Sequence, residues 1–100
     1  MLERLRVAII DDHPLFREGW STLLRGAKAL EVVGEGGSAE DAVRIAREVS
    51  PDIVLLDVRM PGGGVEAARS IARVCPVAKM IIAHRVRIRA GRRAGPRGGG

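Results

Sequence analysis

The chain has 100 residues, with 17 Lys+Arg against 12 Asp+Glu and a single Cys, enough for one small domain and no more. Its apolar runs stop at four residues, against the roughly 20 a membrane span needs, and Met1-Leu2-Glu3-Arg4 opens no signal-peptide apolar region. Cys75 has no partner for an internal disulfide, so a soluble, cytoplasmic protein is expected.

The charge is unevenly spread. Residues 1–83 hold 11 Lys+Arg and 12 Asp+Glu, whereas residues 84–100 hold six Arg, five Gly and no acid. Only Val86 and Ile88 in that tail are apolar and larger than Ala. Such a composition buries too little surface to offset the entropy of ordering, so a disordered Arg/Gly-rich tail over 84–100 is expected behind a near-neutral body over 1–83.

Arg6-Val7-Ala8-Ile9-Ile10 reads as a short strand buried on both faces, and it ends on Asp11-Asp12. His13-Pro14 follows, with Asp12 or His13 near the cap of a helix and Pro tolerated in its first turn. Phe16, Trp20, Leu23, Leu24 and Ala27 recur at helical spacing and predict its core face, with an end near Lys28-Ala29. Glu31-Val32-Val33-Gly34 predicts a second strand, closed by Gly36-Gly37.

Ser38 followed by Asp41 predicts a capping box with Asp in the place of Glu. The helix behind it carries Ala39, Ala42, Val43, Ala46 and Val49 on one face, and Ser50-Pro51 closes it. Ile53-Val54-Leu55-Leu56 is a third buried strand, running into Asp57 and, four residues later, into Pro61, which is expected to stop it. Gly62-Gly63-Gly64 predicts a loose turn into a helix with Val65, Ala68, Ile71, Ala72 and Cys75 inward. Pro76 ends that helix, and residues 79–83 predict a fourth strand. Strands alternating with helices predict an α/β fold with a parallel sheet and right-handed crossovers.

Parallel strands bring their carboxyl ends to one edge, where open α/β sheets bind ligands. With the strands at 6–10 and 53–56 adjacent, Asp11, Asp12 and Asp57 converge. Three carboxylates so placed repel unless a cation joins them, and an oxygen-only set with room for water suits Mg²⁺ better than zinc. The chemistry of these residues reaches an acidic pocket for a hard divalent ion and goes no further.

Residues 6–14, Arg-Val-Ala-Ile-Ile-Asp-Asp-His-Pro, together with 51–62, Pro-Asp-Ile-Val-Leu-Leu-Asp-Val-Arg-Met-Pro-Gly, resemble the receiver domain of two-component response regulators. Asp-Asp-His-Pro-Leu-Phe-Arg-Glu-Gly (11–19) and Val-Val-Gly-Glu (32–35) resemble the subfamily that joins a receiver to a LuxR-type helix-turn-helix. The resemblance covers about residues 5–83. It implies a flavodoxin-like, doubly wound parallel sheet, here incomplete, with four strands in the order 2-1-3-4 and three helices. It implies Asp57 as the phospho-acceptor for a sensor histidine kinase, in a signalling protein rather than an enzyme. It further implies Mg²⁺ bound by Asp12 directly, by Asp11 through water, by Asp57, and by the main-chain carbonyl of Arg59.

The family places Ser or Thr at the end of the fourth strand and Lys at the end of the fifth. Here His84 falls at the first position, and no Ser, Thr or Lys follows. The abrupt change at Ala83-His84 reads as truncation or a frame shift in a longer regulator, which predicts impaired phosphorylation and no DNA-binding domain. It also predicts an exposed edge on the fourth strand, open to weak self-association.

Ordinary roles account for the remaining residues. His13 is a loop or cap residue, Phe16, Trp20 and the Leu pair are core, and Cys75 is a small buried side chain. A competing function is a nucleic-acid-binding module acting through the Arg tail, but no aromatic residue interleaves with those cations. An Asp-nucleophile phosphatase would want an acid two residues past Asp57, where Arg59 stands.

Overall fold

A computed structural model of the chain describes residues 3–83. The expectations for the tail over 84–100, for His84 and for nucleic-acid binding through the Arg run lie outside the described residues. The elements alternate as expected: β1 (Leu5–Ile10), α1 (Pro14–Arg25), β2 (Leu30–Gly36), α2 (Ala39–Val49), β3 (Ile53–Asp57), α3 (Gly64–Val74) and β4 (Lys79–Ala83). The sheet is wholly parallel, in the order β2-β1-β3-β4. Among the described residues no helix is long and apolar enough to cross a membrane.

Side chains on successive strand residues point to opposite faces, and the two faces are covered differently. Ala8, Ile10, Val54 and Leu56 form one cluster with Ala42, Ile45 and Ala46 of α2 and Ala67 and Ile71 of α3. Val7 and Ile9, of the opposite parity, are equally buried beneath α1. In β2 the register slips by one residue opposite Val7/Ala8. That bulge re-phases the strand, so Gly34 and Gly36 lie against Ile45 of α2 while Glu35 reaches α1.

Burial fades toward β4. The register row Ile10, Leu56, Ile82 goes from fully buried to 50 % exposed, and Ile81, next to the half-buried Leu55, is 52 % exposed. β4 pairs with β3 alone among the described residues.

Expectations for all three helices need correction. The stripe assigned to the core of α1 does not lie inward as a unit: Phe16 is 46 % and Leu23 66 % exposed, Trp20, Leu24 and Ala27 are half-buried, and the fully buried residue is Ser21. Polar contacts set this rotation, because Ser21 and Arg17 turn toward Glu35 and the end of β1, leaving Phe16 to pack edge-on against the His13 ring. The helix also ends at Arg25, tightened by i→i−3 bonds from Gly26 and Ala27, rather than near Lys28-Ala29. In α3, Val65 and Ala72 are exposed and Ala67 takes the inward position, while α2 buries Ile45 beside the expected Ala42 and Ala46.

Capping follows the sequence more closely. Ser38 Oγ accepts from the Asp41 N–H at 3.1 Å, but Asp41 reaches back to the N–H of Gly37 rather than of Ser38. At α1 the capping residue is His13, not Asp12, and its side chain makes no cap bond. Gly19 sits inside α1, and a methyl group there meets nothing within 4 Å. Gly19→Ala is therefore expected to stabilise the fold by about 0.5–1 kcal/mol, through helix propensity alone, read as a higher urea midpoint with unchanged slope.

Candidate functional site

The carboxyl ends of β1 and β3 are neighbours because Ile10 pairs with Leu56, and each strand runs straight into an acid. Asp57 is the last residue of β3; the strand stops there, before it reaches the expected Pro61. What ends it is a tied turn in which Gly64 N–H donates to Val58 O at 3.2 Å and Gly63 N–H to Met60 O at 3.0 Å. Met60 drops into the core from this turn. The Gly62-Gly63-Gly64 segment is thus not loose: Gly62 and Gly63 have φ of 90° and 86°, and Pro61 O accepts from Ala39 N–H at the start of α2.

Asp11 and Asp57 are 3 % and 1 % exposed, and Asp12 is half-buried. Each buried carboxylate is oriented by its own following turn. Asp11 Oδ1 accepts from the His13 N–H at 2.8 Å, and Asp57 Oδ1 from the Arg59 N–H at 3.0 Å. These bonds two residues ahead are the Asx-turn arrangement, which locks a short acid against its backbone. Asp11 is tied at its main chain as well, its N–H donating to Gly36 O and its O accepting from Arg17.

One carboxylate oxygen from each of Asp11, Asp12 and Asp57 lies within 4.8 Å of the other two. The donor set fits Mg²⁺: it is all oxygen, and three carboxylate oxygens no more than 4.8 Å apart can converge on one small hard cation that keeps waters among its ligands. Arg59, whose N–H already fixes Asp57, belongs to the same turn.

Behind the pocket, the β2–α2 turn is charged and closed. The Gly37 N–H, and after it the Arg44 guanidinium, hold the Asp41 carboxyl below its ordinary value. Sequence reasoning passed over two residues of this neighbourhood, Arg17 and Glu35, which stand 18 positions apart and share no local period. Their only signal was membership of the two segments 11–19 and 32–35.

The response regulator receiver domain profile matches residues 7–87. The chain is 43 % identical over 79 residues to the response regulator GacA of Pseudomonas aeruginosa, covering 78 % of this chain and 37 % of that protein. It is 44 % identical over 79 residues to the response regulator UvrY of Escherichia coli K12, covering 78 % and 36 %. A crystal structure of a LuxR-family two-component response regulator from Aurantimonas superposes with a TM-score of 0.76 at 38 % identity, over 82 % of this chain and 59 % of the other. The chain therefore spans little more than a third of the length of these curated relatives. With its four-stranded 2-1-3-4 sheet and three helices, it belongs to the response regulator receiver domain family.

Proposed function

We propose that this chain accepts a phosphoryl group on Asp57 from the phosphohistidine of a sensor histidine kinase. The observation that carries the reading is the meeting of Asp11, Asp12 and Asp57 within 4.8 Å at the carboxyl edge of a parallel sheet. A carboxylate oxygen of Asp57 attacks phosphorus as the bond from phosphorus to the imidazole nitrogen breaks, and the electron pair returns to the imidazole. Asp11, Asp12, Asp57 and the main-chain carbonyl of Arg59 would hold Mg²⁺, which supplies charge neutralisation where two anions are brought together. The Arg59 N–H keeps the Asp57 carboxylate from rotating as it reacts.

Residues 84–100 contain no Ser, Thr or Lys. In this reading His84, standing where the family places Ser or Thr, offers no hydroxyl to follow the phosphoryl group, so acceptance is slow.

Incubation with acetyl phosphate tests the reading. The expected result is a slow mass gain of one phosphoryl group, mapped to Asp57 and lost when EDTA removes Mg²⁺. Labelling that survives EDTA, or that maps to another residue, would count against it.

A further inference from the structure

We propose that Arg17 is a positioning residue for the acidic pocket, holding the end of β1 from behind while Glu35 holds Arg17. The proposal rests on the reading of Asp11, Asp12 and Asp57 as a cation and phosphoryl site. The guanidinium donates from Nη1 to the main-chain O of Asp11 at 2.8 Å and lies, through Nε, 3.9 Å from Glu35 Oε1. Glu35 is anchored in turn, its Oε2 accepting from the buried Ser21 hydroxyl at 2.9 Å and from Arg25 Nη2 at 3.3 Å. Arg25 Nε also donates to Ser21 Oγ at 2.9 Å. A continuous polar chain thus runs from the backbone of a pocket acid, through α1, to the carboxyl end of β2.

Two further observations separate this from a surface ion pair. Space for the guanidinium is provided at Gly37, where a Cβ would lie 2.9 Å from Arg17 Nη1 and 3.6 Å from Asp12 Cα. The bulge in β2 gives Glu35 the parity that faces α1. Arg is suited here because its planar fork can serve a carbonyl and a carboxylate at once, which an ammonium on a flexible stem does not.

The His13 amide reports on the arrangement, since it donates to Asp11 Oδ1. In metal-free protein, Arg17→Met is expected to speed His13 amide exchange about tenfold, the loss of one charge-assisted hydrogen bond, while the β3 amides of Leu55 and Leu56 are unchanged. Mg²⁺ affinity, by calorimetry, should fall about tenfold with it. Glu35→Gln should weaken Mg²⁺ binding less, and should add nothing in the Arg17→Met background, because Glu35 acts only through Arg17. Gly37→Ala, which keeps both charges and moves the guanidinium, should act in the same direction, and it decides the matter should Arg17→Met fail to fold.

Unchanged His13 exchange, equal acceleration at β3, or additive effects of the two charge substitutions would each overturn the proposal. So would faster His13 exchange with undiminished Mg²⁺ affinity. Absence of Mg²⁺ binding by the unsubstituted protein would instead overturn the reading of the pocket, and His13 exchange would still show whether Arg17 holds Asp11.

Discussion

Asp57→Asn is expected to abolish phosphoryl labelling and, without metal, to raise the melting temperature. Both effects come from one removal of charge. The three acids stand within 4.8 Å of one another, two of them almost wholly buried. At an effective dielectric near 20 each ionised pair at that distance repels by on the order of 3 kcal/mol, less where Asp12 meets solvent. Asn has nearly the same shape, and its carbonyl oxygen can keep the bond from the Arg59 N–H. A gain of about 1–3 kcal/mol follows, and for a domain of this size about 1 kcal/mol is worth 4–8 °C. With Mg²⁺ the order reverses in what the ion adds: the unsubstituted protein gains stability by mass action, and the variant, short of one ligand and one charge, gains far less. Thermal melts of both proteins with and without Mg²⁺ give all four values. A lower metal-free melting temperature for Asp57→Asn would mean that the cluster is held by compensating contacts and is not a repulsive site awaiting a cation.

The parts of the fold visible in the sequence are those with local causes. Val7–Ile10 and Ile53–Leu56 are short apolar runs that end on acids, and a parallel order that sets β1 beside β3 brings those acids together. Ser38 before α2 announced a cap because its hydroxyl meets an N–H three residues away. What stayed hidden depends on contacts distant in sequence. Counting apolar residues in α1 pointed to Phe16 and Leu23, but the helix is turned by Ser21 and Arg17 toward Glu35, which sits on another strand. Those polar contacts leave no mark in the hydrophobic period, which pointed to a different face of the helix. Ile45 was passed over beside a row of small residues, although Gly34 and Gly36 of β2 leave the space it fills. Met60, quoted only within the 51–62 segment, is core because the turn behind Asp57 folds back on itself.

That fold-back makes Gly64→Ala the most damaging single methyl among the glycines of the described residues. A Cβ at Gly64 would stand 2.5 Å from Val58 Cα, 2.8 Å from Val58 O and 2.9 Å from Asp57 O, every one of them backbone. Contrast Gly37, where the nearest atom belongs to a long side chain, and Gly19, where there is none. Overpacking usually costs about 1–3 kcal/mol because neighbours change rotamer. At Gly64 no rotamer can change, so α3 must withdraw from the turn or the turn must open, and a loss above about 3 kcal/mol is expected. Small domains have only about 5–15 kcal/mol in all. Withdrawal of α3 would also take Ala67 and Ile71 from the core and disturb the turn whose Arg59 N–H orients Asp57. Urea titration should therefore show a sharply lower midpoint, and whatever fraction stays folded should bind Mg²⁺ more weakly than the unsubstituted protein. Should Gly64→Ala instead melt within about 0.5 kcal/mol of its parent, the range of an ordinary surface change, α3 does not start in contact with the β3 turn, and Asp57 is not seated by that turn at the mouth of the pocket.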